Sequence, residues 1–230
     1  MKKFRIGIIT VNRVTNSSRP QLRENKNSEN YIYETLLSFE EAGFMTKENF
    51  KVCLFDSGSD DISYLDEVKE KWPDLEISYS DKNLTLNENS DKAMLWAHQD
   101  SDFAVLMQDD IKFSKDAARH MEGWVYASPK NANILTLWNT LPGKKDEYVT
   151  IQADGFWGSV FLIWPSKQAR RYLAWDDRRK VGTGHDMSVK QWLKIAHGNV
   201  YANSKGLIDH TGLYSTIGNR EDRRNKQFKP

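Results

Sequence analysis

A single cysteine, Cys53, stands in a chain of 230 residues. That excludes an internal disulfide framework and a cysteine-rich zinc site. It lies in the apolar stretch Lys51 to Phe55 and reads as a buried, inert thiol. No apolar run approaches the roughly 20 residues that a membrane-spanning helix needs. The short run after the basic start Met1-Lys2-Lys3-Phe4-Arg5 stops at Thr10, so neither a signal peptide nor an integral membrane segment is expected, and a cytoplasmic location is the default. An excess of charge is lacking too: 33 Lys and Arg against 32 Asp and Glu leave a formal net charge of +1. Nothing in that balance draws the chain to nucleic acid or to an acidic membrane in general. A Gly-x-Gly-x-x-Gly fingerprint and a phosphate loop ending in Gly-Lys-Ser or Gly-Lys-Thr are both absent, which argues against an ordinary dehydrogenase or P-loop enzyme.

What is present fits one large α/β domain, with 39% hydrophobic and 28% charged residues. Phe4 to Val11 reads as a first strand, followed by a polar loop to about Glu29 that is long enough to suggest a binding loop or lid. Tyr31, Thr35, Leu36, Phe39 and Ala42 repeat with helical spacing up to Gly43. Lys51 to Phe55 is a second strand. Ser59 or Asp60 is expected to cap a helix carrying Leu65 and Val68 that stops before Pro73. Leu75 to Tyr79 is a third strand, and Asn89 or Ser90 is expected to cap a helix through Ala97. The charge-free run Phe103 to Met107 reads as a buried strand of a parallel sheet, with Ser114 opening the next helix. Strands are also expected at Ile134 to Trp138, Gly158 to Trp164 and, weakly, Gly206 to Ile208, with helices from Ser166 to Trp175 and after Gly184. This order predicts a mostly parallel central sheet with helices on both faces and room for an added antiparallel element.

Polar clusters follow three early strands: Thr10-Val11-Asn12-Arg13, Asp56 to Asp61, and Gln108-Asp109-Asp110. Parallel strands would gather them along one sheet edge, where open α/β sheets bind ligands. Asp109 and Asp110 cannot be left buried and unpaired. They either cap a turn or, with substrate phosphates, hold Mg²⁺ or Mn²⁺. The Asp56-Ser57-Gly58-Ser59-Asp60 stretch, taken alone, reads as an ordinary turn and helix cap, which its Ser, Gly and Asp content satisfies; Asp56 can instead contact a base or ribose. Asp186, at a helix start after Gly182-Thr183-Gly184, is a candidate general base or a stabiliser of the first helical turn. His185 beside it can orient an acceptor or Asp186. His210 can complete a divalent-metal site or serve as a structural histidine. Trp157 suits a pocket wall and Trp164 the core.

Taken together these residues resemble a nucleotide-sugar glycosyltransferase of the GT-A fold: a single Rossmann-type domain over 1–230, with a nucleotide-sugar-binding half at 1–110 and an acceptor-binding half at 111–230. Asp56 and Ser59 match an Asp-x-x-Ser-like turn that contacts the donor base. The Asp-x-Asp element falls on Gln108-Asp109-Asp110, where Asp110 matches the metal-holding carboxylate and Gln108 departs from the usual first acid. Gly184-His185-Asp186 looks like the acceptor-side element of inverting members, with Asp186 as the base. Asp209-His210-Thr211-Gly212, followed by Ser215, is similar to a His-x-Gly…Ser motif of N-acetylglucosaminyltransferase-like proteins, with His210 at the metal and diphosphate.

The resemblance implies metal-dependent transfer of a sugar from a nucleoside diphosphate to an acceptor hydroxyl with inversion. Thr10, Asn12, Arg13, Asp56, Gln108, Asp109 and Trp157 would line the donor site, Asp110 and His210 would hold Mn²⁺ or Mg²⁺, and the loop Val14 to Ser28 would order over the donor. The acceptor would be a glycan or another hydroxyl; the basic run Asn219 to Lys226 admits a modified base in DNA. The alternative is an inactive carbohydrate- or nucleotide-binding domain that kept the fold, for which Gln108 is the best argument. A nucleotidyltransferase is a weaker enzymatic rival.

Overall fold

The structure is a computed structural model that describes residues 1–12, 31–130, 132–138, 148–156, 158–180 and 184–211. Among the described residues the strands are β1 (Phe4–Thr10), β2 (Phe50–Asp56), β3 (Glu76–Ser78), β4 (Phe103–Gln108), β5 (Ile111–Phe113), β6 (Ile134–Thr136), β7 (Tyr148–Gln152), β8 (Phe161–Pro165), β9 (Asn199–Asn203) and β10 (Ile208–His210). The α-helices are α1 (Tyr31–Glu41), α2 (Asp66–Lys71), α3 (Leu86–Ala97), α4 (Ala117–Ala127), α5 (Ser166–Leu173) and α6 (Gly184–Ile195). Eight strands form one sheet in the order β3-β2-β1-β4-β8-β6-β9-β7, and β5 and β10 form a separate ribbon.

The four early strands are parallel, as the repeating strand–helix order predicts. β8 then runs antiparallel to both β4 and β6, and β7 antiparallel to β9, so the sheet is mixed. Alternation along the strands divides the core between the two faces. Phe4, Ile6 and Ile8 point to one side, against Ile32, Leu36 and Phe39 of α1, Val68 of α2 and Met121 of α4. Ile9, Cys53 and Phe55 point to the other, against Ala93 and Met94 of α3, Tyr172 of α5 and Trp192 of α6. Cys53 is fully buried, and burial pushes its thiol up to about 12, so it is as inert as its strand position suggested.

Several expected helix caps are corrected. Thr85, not Asn89 or Ser90, caps α3 through a capping box with Glu88. Asn89 and Ser90 are instead fully buried inside the helix. Asp116 in a left-handed conformation, not Ser114, precedes α4. Neither Ser59 nor Asp60 caps a helix: the 63–65 turn has no side-chain cap, and Asp61 accepts from Ser63 N–H at 2.9 Å. Strands β5, β7 and β9 were not expected. β7 alternates exposed and half-buried residues, too polar to stand out from a loop. No helix among the described residues is long and apolar enough to cross a membrane.

Candidate functional site

The sheet order places β2, β1 and β4 side by side, with Thr10 opposite Asp56 and Ile9 opposite Gln108. Their polar ends therefore gather at one edge, as the sequence implied. Asp56 is 1% exposed, and its carboxylate clamps its own turn. Oδ2 accepts from Gly58 N–H at 2.8 Å and Ser59 N–H at 2.9 Å, while Oδ1 accepts from Ser59 Oγ at 2.6 Å and Tyr64 OH at 2.8 Å. Burial, and then the Asp56 charge, push the Tyr64 phenol far up, so it remains a donor. Ser59 Oγ in turn accepts from Asn12 N–H at 2.8 Å, and Asn12 Nδ2 donates to the Asp61 carbonyl at 2.9 Å.

The acidic pair is buried and supported from three directions. Thr10 Oγ1 donates to Asp109 Oδ2 at 2.7 Å. Thr35 of α1 lies 2.7 Å from the carbonyls of both Asp109 and Ile111 and accepts from Ile111 N–H at 3.1 Å, fixing the turn between β4 and β5. The β5–β10 ribbon pairs His210 with Ile111, and Thr211 N–H donates to the Asp110 carbonyl at 2.9 Å. A residue from near the chain end thus reaches the acidic pair. His210 Nε2 lies 3.2 Å from Asp110 Oδ2. The two atoms are not aligned for a hydrogen bond, and neither buried ring nitrogen of His210 has a hydrogen-bond partner.

These two side chains fit a divalent ion. Ligands about 2.1 Å from an octahedral ion in adjacent positions stand about 3 Å apart, close to the separation of Asp110 Oδ2 and His210 Nε2. An imidazole with orphaned nitrogens beside a carboxylate is the donor set that Mn²⁺ accepts. Among the described residues no group of three His, Cys, Asp or Glu side chains converges on such a point. Substrate oxygens and water would have to complete the coordination.

Asp186 lies in the first turn of α6, half-buried, and its Oδ1 accepts from Ser159 Oγ at 2.8 Å. His185 goes the other way: it is 2% exposed, edge-on to the Tyr172 ring with centroids 6.1 Å apart. Burial lowers its pKa, opposed by the charges of Asp186 and Asp91, and neither ring nitrogen has a hydrogen-bond partner. An imidazole with so little surface has almost none to offer a ligand. Arg13, Trp157, the loop Val14 to Ser28 and the chain after Thr211 lie outside the described residues.

The structure adds residues that sequence reasoning missed. Asn89 on α3 donates to the Phe55 carbonyl at 2.9 Å and to Ser57 Oγ at 2.7 Å, holding the Asp56 turn from behind. Two residues along, Asp91 pairs with Arg178 Nε at 3.3 Å, and the Arg178 carbonyl accepts from Ser188 Oγ of α6 at 3.1 Å. One helix thereby braces both the Asp56 turn and the helix that carries Asp186. Only polar residues at helix positions facing the core hinted at this; Ser159 left no sequence signal.

Comparison with curated proteins returns no match. Among solved structures the chain is similar to S. aureus TarS 1-349, with 17% identity, a TM-score of 0.61, and coverage of 92% of this chain and 61% of that one. The same TarS segment in complex with UDP-GlcNAc gives 16% identity and a TM-score of 0.57 over 93% of this chain and 61% of that one. GalNAc-T7 with UDP, GalNAc and Mn²⁺ gives 9% identity and a TM-score of 0.62 over 91% of this chain and 43% of that one. At such identities the likeness is one of fold, and the chain spans 61% of the TarS 1-349 length. The profile of glycosyl transferase family 2 matches residues 25–189, a stretch that takes in the Asp56 turn, the acidic pair, Ser159 and Asp186. With most of its length under that profile, the chain belongs to glycosyl transferase family 2.

Proposed function

We propose that this protein is a metal-dependent, inverting glycosyltransferase that moves a sugar from a nucleoside diphosphate to an acceptor hydroxyl. The observation that carries the reading is the meeting of His210 with Asp110 across the β5–β10 ribbon, at the sheet edge shared with Asp56 and Thr10. It supports a divalent-ion site at the sheet edge where a donor diphosphate would lie. Residues 1–110 would bind the donor, with Asp56 and Asn12 toward the nucleoside and Gln108 and Asp109 toward ribose and sugar; Arg13 and Trp157 would contribute to the donor site as the sequence resemblance implies. Residues 111–230 would supply the acceptor side. Further support comes from family membership and from the fold shared with TarS, solved in complex with UDP-GlcNAc, and GalNAc-T7, solved with UDP, GalNAc and Mn²⁺.

Asp186 removes the acceptor proton as the hydroxyl oxygen bonds to the anomeric carbon. The bond from that carbon to the diphosphate breaks on the opposite face, so one displacement inverts the configuration. A double displacement needs a second positioned carboxylate, and Asp109 is already engaged by Thr10. A divalent ion held by Asp110 and His210 would neutralise charge on the departing diphosphate. The acceptor would be a hydroxyl, such as that of a glycan.

The test is a screen of nucleotide sugars with Mn²⁺, read by mass for released nucleoside diphosphate, alone and with a panel of acceptors. Turnover that stops on chelation and returns with Mn²⁺ is expected. Tight donor binding with no turnover on any acceptor would instead favour the inactive binding domain. Pyrophosphate released from a nucleoside triphosphate and a sugar phosphate would favour a nucleotidyltransferase.

A further inference from the structure

Asp186 belongs to α6, yet its carboxylate is held from another element. The donor is Ser159, 2% exposed, whose Oγ lies 2.8 Å from Asp186 Oδ1. An ionised carboxylate can only accept, so the serine hydroxyl donates. The place of Ser159 is itself tightly set. Gln108 N–H donates to the Val160 carbonyl at 3.0 Å, and Thr136 Oγ1 donates to the Phe161 carbonyl at 2.5 Å. On the other side, Gly158 has φ +90°, and a Cβ there would come within 2.8 Å of the Trp138 ring. Only glycine permits both that conformation and that approach.

The β4–β8 pairing ends with Met107 opposite Phe161. The Gln108 N–H to Val160 carbonyl bond extends this antiparallel register by one residue, to the position next to Ser159. The hydroxyl that grips Asp186 is therefore anchored to the strand pair that carries the acidic corner. We infer that Ser159 is a positioning residue for the general base: it locks one oxygen of Asp186 so that the other faces the acceptor, and it ties that base to the donor corner. The inference rests on Asp186 being the base. A carboxylate gripped only by its own helix would turn about its terminal torsion, which is broad and two-fold. A proton acceptor displaced by about 1 Å can lose on the order of 10²-fold in rate.

The test is a double-mutant cycle on the full chain, with transfer measured at saturating donor and acceptor and donor affinity measured by calorimetry. Ser159→Ala should lower kcat by roughly 10- to 100-fold, with donor affinity and KM within about twofold of the parent. In an Asp186→Asn background the same change should cost less than about twofold, because the group it acts through has gone. Ser159→Cys, a weak donor of similar size, should fall between and guards against a packing defect in the alanine variant. Parental kcat in Ser159→Ala, or an equal loss in both backgrounds, overturns the inference while leaving Asp186 as the base. Full transfer by Asp186→Asn alone removes the base reading, and the role of Ser159 with it.

Discussion

The turn after β2 permits a sharp prediction, because one substitution should have opposite effects at two glycines. Gly58 has φ +82°, and a Cβ there would stand 2.0 Å from the Lys82 carbonyl oxygen and 2.9 Å from the Asn83 nitrogen. Both obstacles are backbone, so no side chain can swing aside. Left-handed geometry costs a residue with a Cβ about 1–2 kcal/mol. Relieving the clash needs a shift of more than an ångström, enough to break the Leu84 N–H to Ser57 carbonyl bond of 2.6 Å and loosen the Gly58 and Ser59 donors on Asp56. A lost neutral hydrogen bond is worth about 1 kcal/mol and one to a charged group about 1.5–3. Gly58→Ala should therefore destabilise by at least about 3 kcal/mol, a large share of the roughly 5–15 that a domain has. Gly123 lies in α4 with nothing within 4 Å of its Cβ position. Gly123→Ala should stabilise by about 0.5–1 kcal/mol through helix propensity. Urea unfolding, with slopes checked for a common unfolded state, measures both. Donor affinity should fall only in the Gly58 variant. A Gly58→Ala loss under about 1 kcal/mol would refute the reasoning, as would destabilisation by Gly123→Ala.

Asp110→Ala should lose most Mn²⁺-dependent donor binding while the fold survives, and His210→Ala should weaken it less, because water can replace one ligand; calorimetric titration with and without Mn²⁺ checks both. His185 should make the protein acid-sensitive. Its folded pKa lies below the ordinary 6.5 because of burial, so above that value both states are neutral and the residue adds no pH dependence. As pH falls through about 6.5, the unfolded chain binds a proton that the native state resists, and stability drops. His185→Gln should flatten the slope of unfolding free energy between about pH 5 and 7 relative to the parent; equal slopes would remove the residue from the account. Asp91→Asn strands the buried Arg178 guanidinium and should cost about 3 kcal/mol, seen as a lower urea midpoint, whereas a change under about 1 kcal/mol would mean that the pair is screened.

The sequence alone determined the parallel half of the fold and the order of its chemistry. Apolar runs at Ile6 to Ile9, Val52 to Phe55 and Phe103 to Met107 must be buried on both faces, and strands so buried, with helices between them, pair in parallel and release their polar ends at one edge. Thr10, Asp56 and Asp109 could therefore be placed together before any coordinates. Helix caps were not legible, because Ser, Asn and Asp suit caps, turns and buried bridges alike; only packing decided that Thr85 caps α3 while Asn89 reaches across to the Asp56 turn. The strands β5, β7 and β9 were hidden for a related reason: three are short or polar, and their pairing partners lie far along the chain. Tertiary structure alone brought His210 to Asp110 and Ser159 to Asp186, since both meetings depend on strand register between segments that carry no local sign of each other.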